Sequence, residues 1–529
     1  MKRSNELILV ISLILLSAQI TLGQTTFGQT TFAQTETIDT AMFRRIREAG
    51  LASSRIPMLA HYLTDVSGPR LPGSSGYRRA ANWAVQTLKQ WGISEAYTEA
   101  WGEFGKQWDL AEFSVALKLP YYQPLIAYPE PWSGNTKGRQ QAAVILITSK
   151  QLMDTVYLKE HLSLLKGKIL LVYNNSNKMA AGYATTPGRL TDSVLEHIEG
   201  QHIVSRNEME TIISRDSILV AIDKMLKKAG VVARISAPGN NVNGVVHVQS
   251  ANGYKLSDPE MITKISMSFE DGQRLARLVR SGQRVELIIN QKASVSTRDT
   301  KGYNVIGEIP GTDPVLGKEI VMLGGHLDSW ASSTGATDNA AGCIVVMEVM
   351  RILDSLNVKP KRTIRMALWD GEEQGLYGSY NYVKKHFMNA DGKPNEANQK
   401  VSGYFNLDYG TGKIRGVYAQ ENKEMIPVFK NWLEPFHDLD AKTVSANSTG
   451  STDHESFDWA GIPGFQFIQD PVDEVWTHHT NIDDYDHLQI EDLKQAAVIV
   501  ASFVYQAAMR DEMLPRKEFV KKVFVFDGL

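Results

Sequence analysis

The 529-residue chain predicts an α/β fold: a central, mostly parallel or mixed sheet flanked by helices, into which a β-rich domain is inserted. Three observations carry that expectation. From about residue 294 onward, apolar strand-like runs alternate with amphipathic helical ones. Two helical segments lie near the beginning, and the stretch between these regions consists of short β-type runs with few long helices.

Taken in order, Lys2 and Arg3 precede an apolar run from Leu7 to Leu16 and then small residues near "TLGQ", the layout of a secretory signal over 1–23. That run is too short to cross a bilayer comfortably. Cleavage after Gly23 competes with positions after Gly28 and Ala33 in the repeat "GQTTFGQTTFAQT", and 24–36 reads as a low-complexity linker. The first part of the main domain, 37–118, is helical from Thr37 to about Trp91 in two pieces, "AMFRRIREAGLASSRIPMLAHYLTD" and "GYRRAANWAVQTLKQWG", parted by the Gly- and Pro-rich "VSGPRLPGSSG". The insert spans 119–293 with "AAVILIT", "GKILLVYN", "GVVARIS" and "VELIIN" as strands and "DSILVAIDKMLKKAG" and "EDGQRLARLVRSG" as helices. The second part of the main domain, 294–529, holds "EIVMLGGH", "RTIRMALWD" and "VSGYFNLDY" as strands among helices that end with "IEDLKQAAVIVASFVYQAAM".

Composition narrows the partners. With 43% hydrophobic and 22% charged residues the chain can build sizeable cores, and a net charge of −3 offers no electrostatic footprint for nucleic acid. No stable membrane anchor is expected once the leader is removed, and oligomeric state is left open. The sole cysteine, Cys343, can form neither an internal disulfide nor a Cys-based zinc site. Any metal must therefore be held by His and carboxylates. Trp91, Trp101, Trp108 and Trp132 are packing residues or groove liners, and Asn174 and Asn447 sit in glycosylation sequons.

In open α/β sheets the ligand site lies beyond the carboxyl ends of the strands. His326 follows the apolar run Ile320 to Leu323, and Asp338 precedes a helix start. Glu372 and Glu373 follow "TIRMALW", Asp408 ends "GYFNLD", and "WTHHTNIDDYDHL" adds His478 and His479. Together these supply a His, Asp, Glu, Asp, His series of the hard and borderline donors that suit zinc. A carboxylate can bridge two cations, and of two adjacent glutamates one can ligate while the other acts as general base.

The chain resembles the co-catalytic di-zinc exopeptidases of peptidase family M28, which include secreted aminopeptidases and the carboxypeptidase Q group. The resemblance rests on "GPRLPGSSGYRRAANW", "GGHLDSW", "TGATDNAAG", "GEEQGLYGS", "FNLDYG", "STDHESF" and "THHTNIDDYDHL". It implies two zinc ions per chain: His326 and Asp408 on one, Glu373 and His479 on the other, Asp338 bridging, with Glu372 as general base and Asp328 orienting His326. His479 is preferred to His478 because it stands four residues before Asp483. Many family aminopeptidases place Tyr where this chain has His478, so the tyrosine's role does not transfer; the His-His pair is similar to the carboxypeptidase Q group. "STDHESF" departs as well, with Ser456 where Pro is common; Asp453 and His454 are pocket candidates or helix-capping residues. The insert resembles a protease-associated domain, which covers the cleft or serves as a spacer. The activity so implied is a secreted or periplasmic zinc exopeptidase acting on short peptides, first an aminopeptidase. A carboxypeptidase Q-like dipeptidase is the near alternative, and a glutaminyl cyclase-like transferase or a non-catalytic ectodomain come from other classes.

Overall fold

The computed structural model describes residues 36–173, 188–200, 202–238, 243–250 and 252–521. The leader, the linker up to residue 35 and the Asn174 sequon lie outside the described residues. From Ile38 onward the chain forms one folded unit. Its first helix, Thr40–Ala52, starts where Asp39 accepts a hydrogen bond from the Met42 amide at 2.9 Å. A second, Ser75–Gln90, starts where Ser74 accepts from the Tyr77 amide.

Eight strands make the main sheet. Their order is Glu95–Glu103, Lys301–Ile309, Thr363–Trp369, Ile320–His326, Val401–Asn406, Gly464–Gln469, Ile414–Tyr418 and Thr443–Ser445. The four strands from Thr363–Trp369 to Gly464–Gln469 run parallel, so their carboxyl ends share one rim. Antiparallel strands close the sheet on either side.

Period-2 alternation sorts side chains between two cores. Val321 and Leu323 face the helices Ala341–Ser355 and Ile490–Met509, whereas Met322 faces the layer containing Tyr382, Val383 and Phe457. The Ile490–Met509 helix is buried almost throughout, and a Cβ added to Gly50 would meet Val498 Cγ2 at 2.5 Å. Close approach of the first and last helices thus requires glycine there.

A second eight-stranded sheet carries the insert. Four of its strands, Gln140–Thr148, Ile169–Tyr173, Ala233–Ser236 and Lys264–Met267, run parallel. A long antiparallel ladder joins Gln107–Leu119 to Glu286–Ser296. This sheet therefore begins before residue 119 and ends after residue 293. The strand Gln107–Leu119 follows Glu95–Glu103 closely in sequence yet pairs with a different sheet, and only its distant partner decides that. The helix expected from Asp216 starts a full ten residues earlier, at Arg206, on a capping box formed by Ser205 and Glu208. Its leading turns are exposed and bury no residue.

An aromatic cluster joins the two sheets. Trp101, Phe104, Trp108, Trp132, Tyr254 and Trp330 are all buried in it, with Phe104 stacked on Tyr254 at 5.0 Å. Three of the tryptophans considered as groove liners thus pack here, and Trp91 packs against the main core. Among the described residues no helix is long and apolar enough to cross a membrane.

Candidate metal centre and its cavity

His326 is the last residue of its strand and pairs in register with Trp369 of the neighbouring parallel strand. The chain turns after Trp369 through Gly371, at φ 71°, which brings Glu372 and Glu373 alongside the imidazole. Asp370 anchors that turn by accepting from the Tyr303 amide at 2.8 Å and Trp101 Nε1 at 3.1 Å.

Asp328 holds the glutamates from below. Its carboxylate accepts from the Glu372 amide at 3.2 Å and the Glu373 amide at 3.3 Å. His326 Nδ1 lies 3.0 Å from the Asp328 backbone carbonyl and 3.6 Å from its carboxylate. The carbonyl is the nearer acceptor; a proton on Nδ1 leaves the Nε2 lone pair facing the cluster.

Asp338 is set by a comparable arrangement. The Asp483 carboxylate accepts from the Thr337 amide at 2.6 Å and the Asp338 amide at 3.2 Å. Asn339 Nδ2 donates to the Leu407 carbonyl at 2.8 Å, tying this loop to the strand end that carries Asp408. A Cβ at Gly342 would meet that same carbonyl at 2.3 Å, so the contact depends on glycine.

His326 Nε2 lies 3.2 Å from Asp338 Oδ1 and 3.3 Å from Asp408 Oδ1. On the other side, His479 Nε2 lies 3.2 Å from Asp338 Oδ2 and 2.9 Å from Glu373 Oε2. Two donors on one tetrahedral zinc with bonds of about 2.0–2.1 Å stand ~3.3 Å apart. Both groups of donors have that spacing, and Asp338 belongs to both. Glu372 Oε2, at 3.8 Å from His326 Nε2, stands farther off.

Electrostatics point the same way. Four carboxylates, Asp338, Glu372, Glu373 and Asp408, face the imidazoles of His326 and His479, with His478 farther out. Asp338 Oδ2 and Glu373 Oε1 are buried and make no hydrogen bond. Burying unsatisfied carboxylate oxygens is costly, and a divalent cation would satisfy them. Burial pushes Glu372 well above the usual carboxylate range, Asp408 and Asp453 adding to the shift against the pull of His326. Burial raises Glu373 to about 7 against the pull of His479. Asp338 moves the other way: burial would raise it, but the adjacent His326 and His479 imidazoles hold it well below its ordinary value.

The donors open into a cavity of 1030 Å³. His326, Asp338, Glu372, Glu373, Asp408, His478 and His479 all line it. His478 stacks on His479 with ring centroids 3.7 Å apart and reaches Asp338 Oδ2 at 3.8 Å, its side chain 53% exposed. Asp338, His478 and His479 are thus also close enough to share one ion. Asp328, Asp453 and His454 are not among the lining residues. His454 is buried with Nε2 2.9 Å from the Thr449 carbonyl, and burial lowers its pKa to about 4. Asp453 is buried too, its pKa raised to about 8 by desolvation against the pull of His326, and its side chain makes no cap bond to the helix His454–Trp459. Both side chains thus turn into the core, away from the cavity lining, and Asp453 does not cap the helix.

Two contributors escaped the sequence. Glu474 lines the cavity with a buried Oε2 that makes no hydrogen bond, and burial beside Asp338, Asp483 and Asp408 raises its pKa well above normal. An acid opening a short helix offered no signal to separate it from an ordinary first-turn carboxylate. The insert also grips the loop that carries His479: the Val248 amide donates to the His479 carbonyl at 2.9 Å and the Val246 amide to Asn481 Oδ1 at 2.6 Å. His479 itself sits at φ 57°, a conformation that costs energy for a side-chain-bearing residue, and this pairing helps to hold it.

Residues 304–504 match the model of Peptidase family M28. Carboxypeptidase Q of Mus musculus is 26% identical over 455 residues, 86% of this chain and 86% of that protein. Among solved structures, a peptidase M28 precursor from Shewanella amazonensis covers 90% of this chain and 98% of its own, with a TM-score of 0.64 at 22% identity. A zinc aminopeptidase from Bacillus subtilis covers 86% of this chain and 95% of its own, with a TM-score of 0.54 at 21% identity. The class is a metallopeptidase, a hydrolase with an α/β sheet bearing its polar cluster at the strand ends. The chain carries a domain of peptidase family M28 and is homologous to carboxypeptidase Q.

Proposed function

We propose that the chain is an exported, zinc-dependent exopeptidase acting on the ends of short peptides, and first an aminopeptidase. The observation that carries this reading is the pair of donor groups that share Asp338, each with His–carboxylate spacings of 2.9–3.3 Å. His326 and Asp408 would hold one zinc, Glu373 and His479 a second, and Asp338 would bridge. Zinc bound there supplies Lewis acidity, polarising a peptide carbonyl and acidifying water.

The chain's own groups do the rest. Glu372 stands outside the donor spacing and has a raised pKa, which suits a group that takes a proton from attacking water and returns it to the leaving amine. Asp328 keeps Glu372 and Glu373 pointing apart by binding both their amides. Glu474 lines the cavity, and the complement of its carboxylate on a peptide is the free α-ammonium. The inserted unit, read as a protease-associated module, covers the cleft and admits chain ends.

A carboxypeptidase Q-like dipeptidase is the second reading, favoured by His478 next to His479 and by the 26% identity to that enzyme. All six positions of the donor and base set are filled, which speaks against a non-catalytic ectodomain, and the paired glutamates suit hydrolysis better than cyclisation. Free, amino-blocked and carboxyl-blocked dipeptides, assayed with metal content on the same preparation, test the reading. Two zinc ions per chain and hydrolysis abolished by amino-blocking are expected. Hydrolysis that survives amino-blocking removes the aminopeptidase assignment, and cyclisation of N-terminal Gln promotes the transferase. Sequencing the amino terminus of exported protein tests the leader.

A further inference from the structure

The helix Arg206–Lys228 of the insert is anchored only by its second half. Ile222 and Leu226 are buried, with Leu219 and Met225 beside them, against Leu152, Leu158 and Leu170 of the insert's own core. Before that point the helix has no buried residue. Yet Met209, Ile212, Ile213, Asp216, Ser217 and Val220 all line the cavity that contains His326, Asp338 and Glu373. Their spacing of three, one, three, one and three residues is that of a single stripe on a 3.6-residue helix. Four of the six are apolar, none of those four belongs to a buried cluster among the described residues, and Ile212 and Ile213 are 47% and 36% exposed.

An apolar stripe turned toward the polar cluster is unexplained by packing. Its occupant must reach the cavity, whose 1030 Å³ is of the order that takes small ligands, roughly 300–1,000 Å³. We infer that the stripe is a side-chain subsite, and that the enzyme prefers short peptides carrying a large aliphatic or aromatic residue. The inference rests on the exopeptidase reading and adds its substrate class. Burial of such a side chain against Ile212, Ile213, Met209 and Val220 removes apolar surface on both partners from water, whereas glycine or alanine gains little. Because the stripe is contributed by the insert, selectivity and chemistry come from separate parts of the chain.

The test is the double variant Ile212→Ser/Ile213→Ser of the full mature chain, at exposed positions that belong to neither donor group. Its kcat/KM for leucyl and phenylalanyl peptides is expected to fall about ten- to hundredfold, with alanyl and glycyl peptides changed less than about twofold and zinc content unchanged. Equal change on all substrates, or none, overturns the subsite. So does a wild-type dimer that the double variant converts to monomer without altering selectivity, since a second copy would then be the occupant. If the wild-type chain with its metals hydrolyses none of these peptides, the exopeptidase reading itself falls and takes the subsite with it.

Discussion

Glu372→Gln isolates proton transfer from metal binding. The side chain keeps its length and loses its capacity to take a proton. The contact that positions the turn runs from the Glu372 backbone amide to Asp328 Oδ1 at 3.2 Å, so the substitution leaves it in place, together with the companion bond from the Glu373 amide at 3.3 Å. Glu373 Oε2 should therefore stay 2.9 Å from His479 Nε2. Glu372 Oε2 lies 3.8 Å from His326 Nε2, beyond the 3.2 and 3.3 Å of Asp338 and Asp408, so no donor of either group is removed. General acid–base catalysis contributes about 10²–10⁴-fold, which corresponds to roughly 3–5 kcal/mol of barrier. The assay pairs steady-state hydrolysis of a leucyl peptide with elemental analysis. Expected are two zinc ions per chain and kcat lowered by about two to four orders of magnitude. Loss of one zinc would show that the two glutamates have exchanged roles, and retention of a tenth or more of wild-type kcat would refute the general-base argument.

Three further outcomes follow from particular contacts. Glu474→Gln should raise KM for free-amino peptides about tenfold or more while leaving kcat within about twofold and zinc content unchanged; an unchanged KM removes its ammonium role. Asp328→Ala leaves two amides of the Glu372–Glu373 turn without their acceptor, so chemical denaturation should show a loss of about 2–5 kcal/mol and metal titration a roughly 10–100-fold weaker affinity. His454 has a folded pKa of about 4, below the ordinary 6.5, so the unfolded chain binds its proton first on acidification. Its contribution is present above pH 6.5 and is lost as pH falls toward 4, at most about 3 kcal/mol. In His454→Gln the denaturation midpoint should depend less on pH across that window, and an unchanged slope would contradict the buried neutral imidazole.

Local patterning made several features readable from the chain alone. Apolar runs marked three of the four parallel strands, Gly464–Gln469 being the one not read, because a strand between two helical layers must be apolar on both sides. Each run ended in a polar residue suited to zinc, and parallel strands place such ends on one rim whatever the rest of the chain does. His326, Glu372, Glu373 and Asp408 were therefore visible as a set. The same windows could not show that Gln107–Leu119 belongs to the second sheet, since a strand's partner lies far away in sequence. Nor could they tell the cavity-facing Glu474 from the core-facing Asp453, both acids at short helix starts; the direction in which each loop packs decides which one meets a ligand. The exposed half of Arg206–Lys228 reads as a solvated helix until the fold sets it across the cavity from His326. Donor chemistry is a property of residue types at strand ends, while the shape of the space around those donors arises from packing between segments as far apart in sequence as Val246 and Asn481, and only the folded chain expresses it.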